Sequence, residues 1–190
     1  MTKEEYDGVF PFIEGERIDL ITVNTKWADL SCKWTNDPEV RHYSRNAWPT
    51  TLEEVKKWFD PSSDQGLKDF IVFTIYHKKD KKPIGIVGFN RINWLNRNAN
   101  TFWTIGEKEY WGRGLAVEAS KILITYGFTE LNLHKLYAGI FTPNKRSLRV
   151  AEKIGFKKEA VLKEDLYVDG TYVDTHIFSI MKNDWMEENK

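Results

Sequence analysis

The sequence predicts a single mixed α+β domain, and three observations point there. Apolar residues alternate with polar ones over 17–23 and then recur three and four apart at Trp27, Leu30 and Trp34, so strand and helix periods follow one another. A loop with two glycines, Trp111-Gly112-Arg113-Gly114-Leu115-Ala116, stands between a strand-like stretch and an amphipathic helix. Near the end, Asp169-Gly170 separates two further strand-like runs, a strong signal of a two-residue hairpin.

In chain order, 17–23 is a half-buried strand. The helix carrying Trp27, Leu30 and Trp34 can be ended by Asp37-Pro38. A second helix starts at the capping-box pattern Thr51-x-x-Glu54 and carries Val55, Trp58 and Phe59 on one side. Between them, 41–49 is too irregular for an element and too aromatic for a spacer, which makes Tyr43 and Trp48 candidate substrate contacts; alternatively, they staple the helices to the core. Ser62-Ser63-Asp64-Gln65-Gly66 is loop. The runs 70–76 and 84–89 form a hairpin whose turn, Lys78-Lys79-Asp80-Lys81-Lys82, is solvated. A strand near 101–105 leads into the loop at 111–116. The helix that follows packs Ala116, Ala119, Leu123 and Tyr126 and wets Glu118, Lys121 and Thr125. Then come a strand at 135–141, a helix marked by Leu148, Ala151 and Ile154 that Gly155 can cap, and a hairpin of 162–168 with 172–181.

At 190 residues the chain has room for one domain, 1–190, and none for a second. An apolar fraction of 41% with eight tryptophans supports a packed globular protein. Basic and acidic residues balance at 28 each, so the overall field gives no strong attraction to nucleic acid or an anionic membrane. Cys32 is the only cysteine, which excludes an intramolecular disulfide and a cysteine-based zinc cluster. His42, His77, His134 and His176 lack paired-ligand spacing, so no metal is expected. The first eight residues lack the apolar core of a signal peptide, and no apolar run approaches the ~20 residues of a membrane span; a cytoplasmic protein is expected.

The loop at 111–116 carries the chemistry. Gly112 and Gly114 can adopt backbone conformations closed to other residues and remove side chains that would block a phosphate. The helix that begins there adds unpaired N–H donors and the positive end of its dipole, so a diphosphate can be held without a lysine or a metal. The plain alternative is a tight turn before an ordinary helix. A nucleoside-triphosphate loop would need a Gly-Lys-Ser/Thr ending, and a dinucleotide fold a third glycine where Val117 stands.

The arrangement of strand, Trp111-x-x-Gly114-x-Ala116 and helix resembles the Arg/Gln-x-x-Gly-x-Gly/Ala signature of the GNAT superfamily of acetyl-CoA-dependent N-acetyltransferases, with Trp111 at the Arg/Gln position. The run from Tyr110 to Ala119 is similar to the branch containing ribosomal-protein N-terminal acetyltransferases and many small-amine acetyltransferases. Asn132-Leu133-His134-Lys135-Leu136, Asn144-x-x-Ser147, Glu152-Lys153-Ile154-Gly155-Phe156 and Asp169-Gly170-Thr171-Tyr172 follow in the same order and spacing, so the resemblance covers roughly 10–185.

The resemblance implies a central, mostly antiparallel twisted sheet of about seven strands, flanked by about four helices and splayed at the cofactor site. It implies direct transfer of acetyl from acetyl-CoA to an amine, with no acyl-enzyme. Trp111, Gly112, Arg113, Gly114, Leu115 and Ala116 would hold the diphosphate, and backbone groups of Thr104, Ile105 and Gly106 the pantetheine arm, one amide there also stabilising the oxyanion. Asn144 would cap a helix and touch the cofactor. Ser147 matches a serine assigned the protonation of the departing thiolate, a role that elsewhere falls to a tyrosine at the position of Ala151. Positions where relatives carry a general-base Glu hold Asn100 and Leu166, leaving Asp165 as the candidate beside Glu164; strand alternation would let only one of the two face the cleft.

The acceptor is expected to be a protein N-terminal amine or a small-molecule amine. Amino-sugar, aminoglycoside or polyamine acetylation and a non-catalytic acetyl-CoA-binding module are the alternatives. A homodimer is left open as the assembly.

Overall fold

The computed structural model describes residues 9–59 and 68–188. The first eight residues and the expected loop Ser62-Ser63-Asp64-Gln65-Gly66 lie outside them. Among the described residues there are eight strands and six α-helices. They are β1 (Pro11–Glu14), β2 (Ile18–Thr22), α1 (Ala28–Asn36), α2 (Pro38–Ser44), α3 (Leu52–Trp58), β3 (Ile71–His77), β4 (Lys82–Asn93), β5 (Asn98–Ile105), α4 (Leu115–Thr129), β6 (Lys135–Phe141), α5 (Lys145–Ile154), β7 (Lys157–Val168), β8 (Thr171–Met181) and α6 (Lys182–Glu188). The strands form one sheet in the order β1-β2-β3-β4-β5-β6-β8-β7. The pairs β1–β2, β2–β3, β6–β8 and β7–β8 are antiparallel, and β5–β6 is parallel. This is the mixed, mostly antiparallel architecture the sequence predicts, with one strand and two helices more.

The described residues divide into two compact units: 9–59, 72–87 and 103–119 form one, and 68–71, 88–102 and 120–188 the other, so β3, β4, β5 and α4 each contribute to both.

In the first unit β2 is buried along Ile18, Leu20 and Ile21, with Asp19 among them. That carboxylate is satisfied by the Gly15 N–H at 3.1 Å and the Lys78 ammonium at 3.3 Å, as a buried charge requires. The strand β1 escapes sequence reading because it is four residues long, starts on a proline at the sheet edge and has no buried residue to set a period. The helix α1 ends at Asp37, as expected, but the same residue begins α2. Its carboxylate accepts from the Glu39 and Val40 N–H groups (2.9 and 3.1 Å), and Pro38 occupies the first turn, where its missing N–H costs nothing. Residues 41–44, expected as loop, are therefore helical, and only the segment from Arg45 (φ 58°) onward is irregular. The capping box of Thr51 and Glu54 is present, and of the expected apolar face of α3 Val55 is buried while Trp58 is 55% exposed.

The helix α4, shared between the units, is more enclosed than its sequence suggests. Ala119 and Leu123 are buried as expected; Ser120, Ile124, Gly127 and Phe128 join them, whereas Ala116 and Tyr126 are only half-buried. The wet face narrows to Lys121, Thr125 and Thr129. Gly127 lets the helix approach β4, because a Cβ there would stand 2.7 Å from the ring of the fully buried Phe89. The strand β6 spans the expected residues, and α5 ends at Gly155 with φ 103°, the left-handed cap. The turn of the late hairpin has φ 48° at Asp169 and 86° at Gly170, the pair of positive values that the tightest hairpin turn needs. The helix α6, unread in the sequence, follows β8 directly; Lys182 N–H bonds the His134 carbonyl (3.0 Å), and Trp185 is buried with its indole N–H on Thr125 Oγ1 (3.3 Å).

Gly127→Ala tests the close approach. The added methyl brings a helix-propensity gain of about 1 kcal/mol against an overpacking cost of about 1–3 kcal/mol. The variant should unfold at lower urea than the parent with an unchanged slope. An equal or higher midpoint would contradict the packing.

Candidate cofactor site

Two left-handed glycines shape the loop before α4. Gly112 has φ 76° and Gly114 φ 79°, and an added Cβ would meet nothing within 4 Å at Gly112 and only an Arg17 guanidinium nitrogen, 3.7 Å away, at Gly114. The space beside the backbone is open, and the conformations exclude ordinary side chains. Gly114 is the helix N-cap, since its carbonyl accepts the Glu118 N–H at 3.1 Å. A Ser or Asp there would fold its side chain back onto the first-turn amides. Glycine has none to offer. Among the described residues, the N–H groups of Leu115, Ala116 and Val117, which lie ahead of the first i→i−4 bond, meet no backbone acceptor and suit an anion. This donor set fits a diphosphate such as that of CoA.

The segment entering the loop is held by charge and aromatic contacts within the first unit. Glu107 accepts from the Lys33 ammonium (2.9 Å) and the Trp34 indole N–H (2.8 Å), and the Trp34 ring lies so close over Gly106 that a Cβ there would stand 2.2 Å away. Lys108 pairs with Asp37 at 3.0 Å and Glu39 at 3.6 Å. The Val40 amide and then Lys108 hold the Asp37 carboxyl below its ordinary range, and Asp37 in turn raises the Lys108 ammonium. Tyr110 is buried, and its hydroxyl donates to Asp80. Burial and that bond push the phenol up, while the same bond holds the Asp80 carboxyl down. His77 Nδ1 lies 3.0 Å from Asp80, and the Arg113 guanidinium sits 5.0 Å from the Tyr110 ring centre. Lys78 and Lys82, read as part of a solvated turn, are tied to Asp19 and Glu109; the turn itself is exposed.

The remaining expected residues fall as follows. The Trp111 indole N–H donates to the Ile105 carbonyl at 2.7 Å, and its ring meets Tyr43 edge-on at 6.2 Å. The Gly106 N–H donates to the Ile84 carbonyl at 2.8 Å. Two backbone groups near the expected pantetheine contacts are thus engaged within the chain, the Ile105 carbonyl by the Trp111 indole and the Gly106 N–H by Ile84 of β4; Thr104 is half-buried beside them. The parallel register of β5 with β6 covers Asn98↔Lys135, Ala99↔Leu136 and Asn100↔Tyr137. Trp48 is 80% exposed, so it does not staple anything to the core. The Cys32 thiol donates to the Thr50 carbonyl at 3.5 Å.

In the second unit Asn144 caps α5 by accepting the Ser147 N–H at 3.0 Å, and Ser147 sits half-buried in the first turn. Asn100, in the position of a general base, donates its amide to Asn90 Oδ1 at 2.8 Å. The strand alternation expected at Glu164 and Asp165 does not hold. Leu162 pairs with Thr175 and Leu166 with Val173, so the three residues between on β7 face one on β8. Asp174 holds this bulge by accepting the Glu164 N–H (3.0 Å) and the Lys163 ammonium (2.8 Å), with Glu164 at φ 52°. Both Glu164 and Asp165 are exposed. Among the described residues no group of three or more His, Cys, Asp or Glu side chains is placed to hold a metal ion, and no helix is long and apolar enough to cross a membrane.

Residues 17–157 match the sequence profile described as "Acetyltransferase (GNAT) domain". The chain belongs to the GNAT acetyltransferases. Among its GNAT relatives, an uncharacterized N-acetyltransferase, p20, of Bacillus licheniformis is 31% identical over 171 residues, covering 90% of this chain and 96% of the relative. The spermidine N(1)-acetyltransferase of Escherichia coli K12 is 33% identical over 127 residues, 67% of this chain and 65% of that protein. The spermidine N-acetyltransferase of Vibrio cholerae, solved in complex with CoA and spermine, superposes with a TM-score of 0.82 at 22% identity over 90% of this chain and 98% of that one, which shows the shared fold. The chain is thus an N-acetyltransferase of the GNAT fold.

The feature that sequence reading missed is Arg17 with Glu118. Arg17 reads as a polar strand position and Glu118 as a wet helix position, yet they form an ion pair at 2.7 Å across 101 residues of chain. No local signal marks it.

Gly114→Trp tests the cradle. A bulky Cβ substituent at φ 79° strains the loop and fills the space beside its amides, so calorimetric affinity for CoA should fall by at least about tenfold, with circular dichroism near that of the parent. Parent-like affinity in the folded variant would remove the loop from the site.

Proposed function

We propose that this GNAT protein transfers acetyl from acetyl-CoA to a primary amine of low pKa, a peptide N-terminus or an amino sugar. The cofactor half of the reading is supported by the amide cradle at 112–117, which offers backbone donors to a diphosphate. Acetyl-CoA supplies the activated acetyl group. The loop amides bind and orient it, and Ser147, in the first turn of α5, donates the proton that the leaving sulfur needs. Tyr43 and Trp48 offer aromatic surface to the acceptor.

The acceptor half rests first on the missing base. Where a carboxylate base would stand, Asn100 is bonded to Asn90. An amide cannot take a proton from an ammonium, so the acceptor must arrive largely as free amine or lose its proton to water or to the exposed Asp165. An α-amino group near pKa ~7.8 is roughly one-seventh free at neutral pH, whereas a lysine-like amine near ~10.4 is free in only about one part in 2,500. The first needs far less help. The acidic groups on α2 and in the segment before the loop also have lysine partners: Asp37 and Glu39 with Lys108, Glu107 with Lys33. A polycation gains little from carboxylates already neutralised.

A polyamine acceptor is the second reading, favoured by the identity to the E. coli spermidine enzyme. The ratio of kcat/KM for an N-terminal peptide amine to that for spermidine, followed from about pH 6.5 to 9, separates the two. The low-pKa reading expects the peptide to lead most at the acid end. Preference for spermidine at neutral pH would replace it with the polyamine reading.

Ser147→Ala should lower kcat on the order of a hundredfold while calorimetric affinity for CoA stays close to the parent's. If the serine only begins a helix, turnover will persist and the melting temperature alone will drop.

A further inference from the structure

We propose that Arg17 is a positioning residue for the cofactor diphosphate, bracing the loop from the residue that leads into β2 and adding a cation beside it. The inference rests on the acetyl-CoA reading above. All the groups involved lie in the first unit.

The guanidinium is gripped from two directions. Its Nε donates to Glu118 Oε2 at 2.7 Å, and its Nη1 donates to the Arg113 carbonyl at 3.0 Å. Glu118 is anchored in turn, since its Oε1 accepts the backbone N–H groups of Arg17 at 2.7 Å and Ile18 at 3.3 Å. A carboxylate on the first turn of α4 therefore binds both the main chain and the side chain of the residue leading into β2. The planar fork addresses Glu118 and the Arg113 carbonyl with separate nitrogens held in one plane, whereas a lysine would have to serve both from a single nitrogen.

The bond to the Arg113 carbonyl fixes which way the peptide between the two glycines points. With that carbonyl drawn toward Arg17, Gly112 and Gly114 stay in their left-handed conformations without any side chain of their own to hold them. This matters because glycine loses more conformational freedom on ordering than any other residue, and a loop with two glycines around one arginine is otherwise poorly defined. The brace also delivers charge. The third guanidinium nitrogen, Nη2, is the atom 3.7 Å from the position of a Gly114 Cβ, on the loop's own flank. Arg17 is about half exposed, whereas Glu118 is largely covered. One face of the cation is spent on the carboxylate and the loop carbonyl, and the other is open to an anion in the cradle.

Arg17→Met keeps much of the stem and removes the fork. Calorimetric Kd for CoA should rise about tenfold or more, and kcat/KM should fall about tenfold further for acetyl-CoA than for acetyl-pantetheine, which lacks the diphosphate. If Arg17→Met does not fold, Arg17→Lys serves, because it keeps the charge beside Glu118 and loses only the reach to Arg113; its Kd should rise by a smaller factor. Parent-like Kd in a folded Met or Lys variant would overturn the proposal. So would an equal loss for acetyl-CoA and acetyl-pantetheine, which marks general loosening. Failure of the parent to bind CoA would instead remove the cofactor reading.

Discussion

The N-terminus of α4 carries no side-chain cap, and much of the first unit is arranged around that fact. A helix that begins on Gly114 forgoes the hydrogen bond a Ser, Thr or Asp would make, a loss of a few tenths of a kcal/mol up to about 1 kcal/mol, and leaves first-turn amides pointing outward. Such an end suits a phosphate, the contact proposed above for the cofactor. Glu118, one turn in, offsets part of the loss by placing a negative charge near the positive end of the dipole, an effect of about 0.3–1 kcal/mol. The same carboxylate holds Arg17, so one side chain serves helix, strand and loop.

The aromatic content of the chain has a related use. Trp34 lies against Gly106 and bonds Glu107, Tyr110 is buried with its hydroxyl on Asp80, and Trp111 bonds the Ile105 carbonyl while its ring meets Tyr43. Each ring supplies apolar bulk and one polar contact, which lets a short stretch of irregular backbone be rigid without regular structure. The cost is that the Ile105 carbonyl is taken by the Trp111 indole, while the Gly106 N–H is paired with Ile84 of β4. A pantetheine arm must then use what remains of the strand end.

Where the sequence was legible, its local rules were unopposed. The strand β6 has four buried residues and clear ends; the capping box at Thr51, the left-handed cap at Gly155 and the Asp169-Gly170 turn are each encoded within a few residues. The misreadings have specific causes. Asp37 both ends α1 and begins α2, so a stop signal hid a start signal. The bulge at residues 163–165 depends on Asp174, a strand away, and period-two reasoning has no means of seeing it. Ser120 and Phe128 are buried because α4 is covered on more sides than a surface helix, a property of its neighbours rather than of its own pattern. In the site, the glycine loop was legible because backbone conformation demands glycine, while Arg17 was not because its partners are distant in the chain.

The central claim is that backbone amides, braced from the residue that leads into β2, receive the cofactor's diphosphate. Amide NMR on nitrogen-labelled protein during a CoA titration observes those groups one by one. The account predicts that the resonances of Gly112, Gly114, Leu115 and Ala116 move furthest and saturate together with the calorimetric isotherm. Saturable CoA binding with those four resonances unmoved would contradict it.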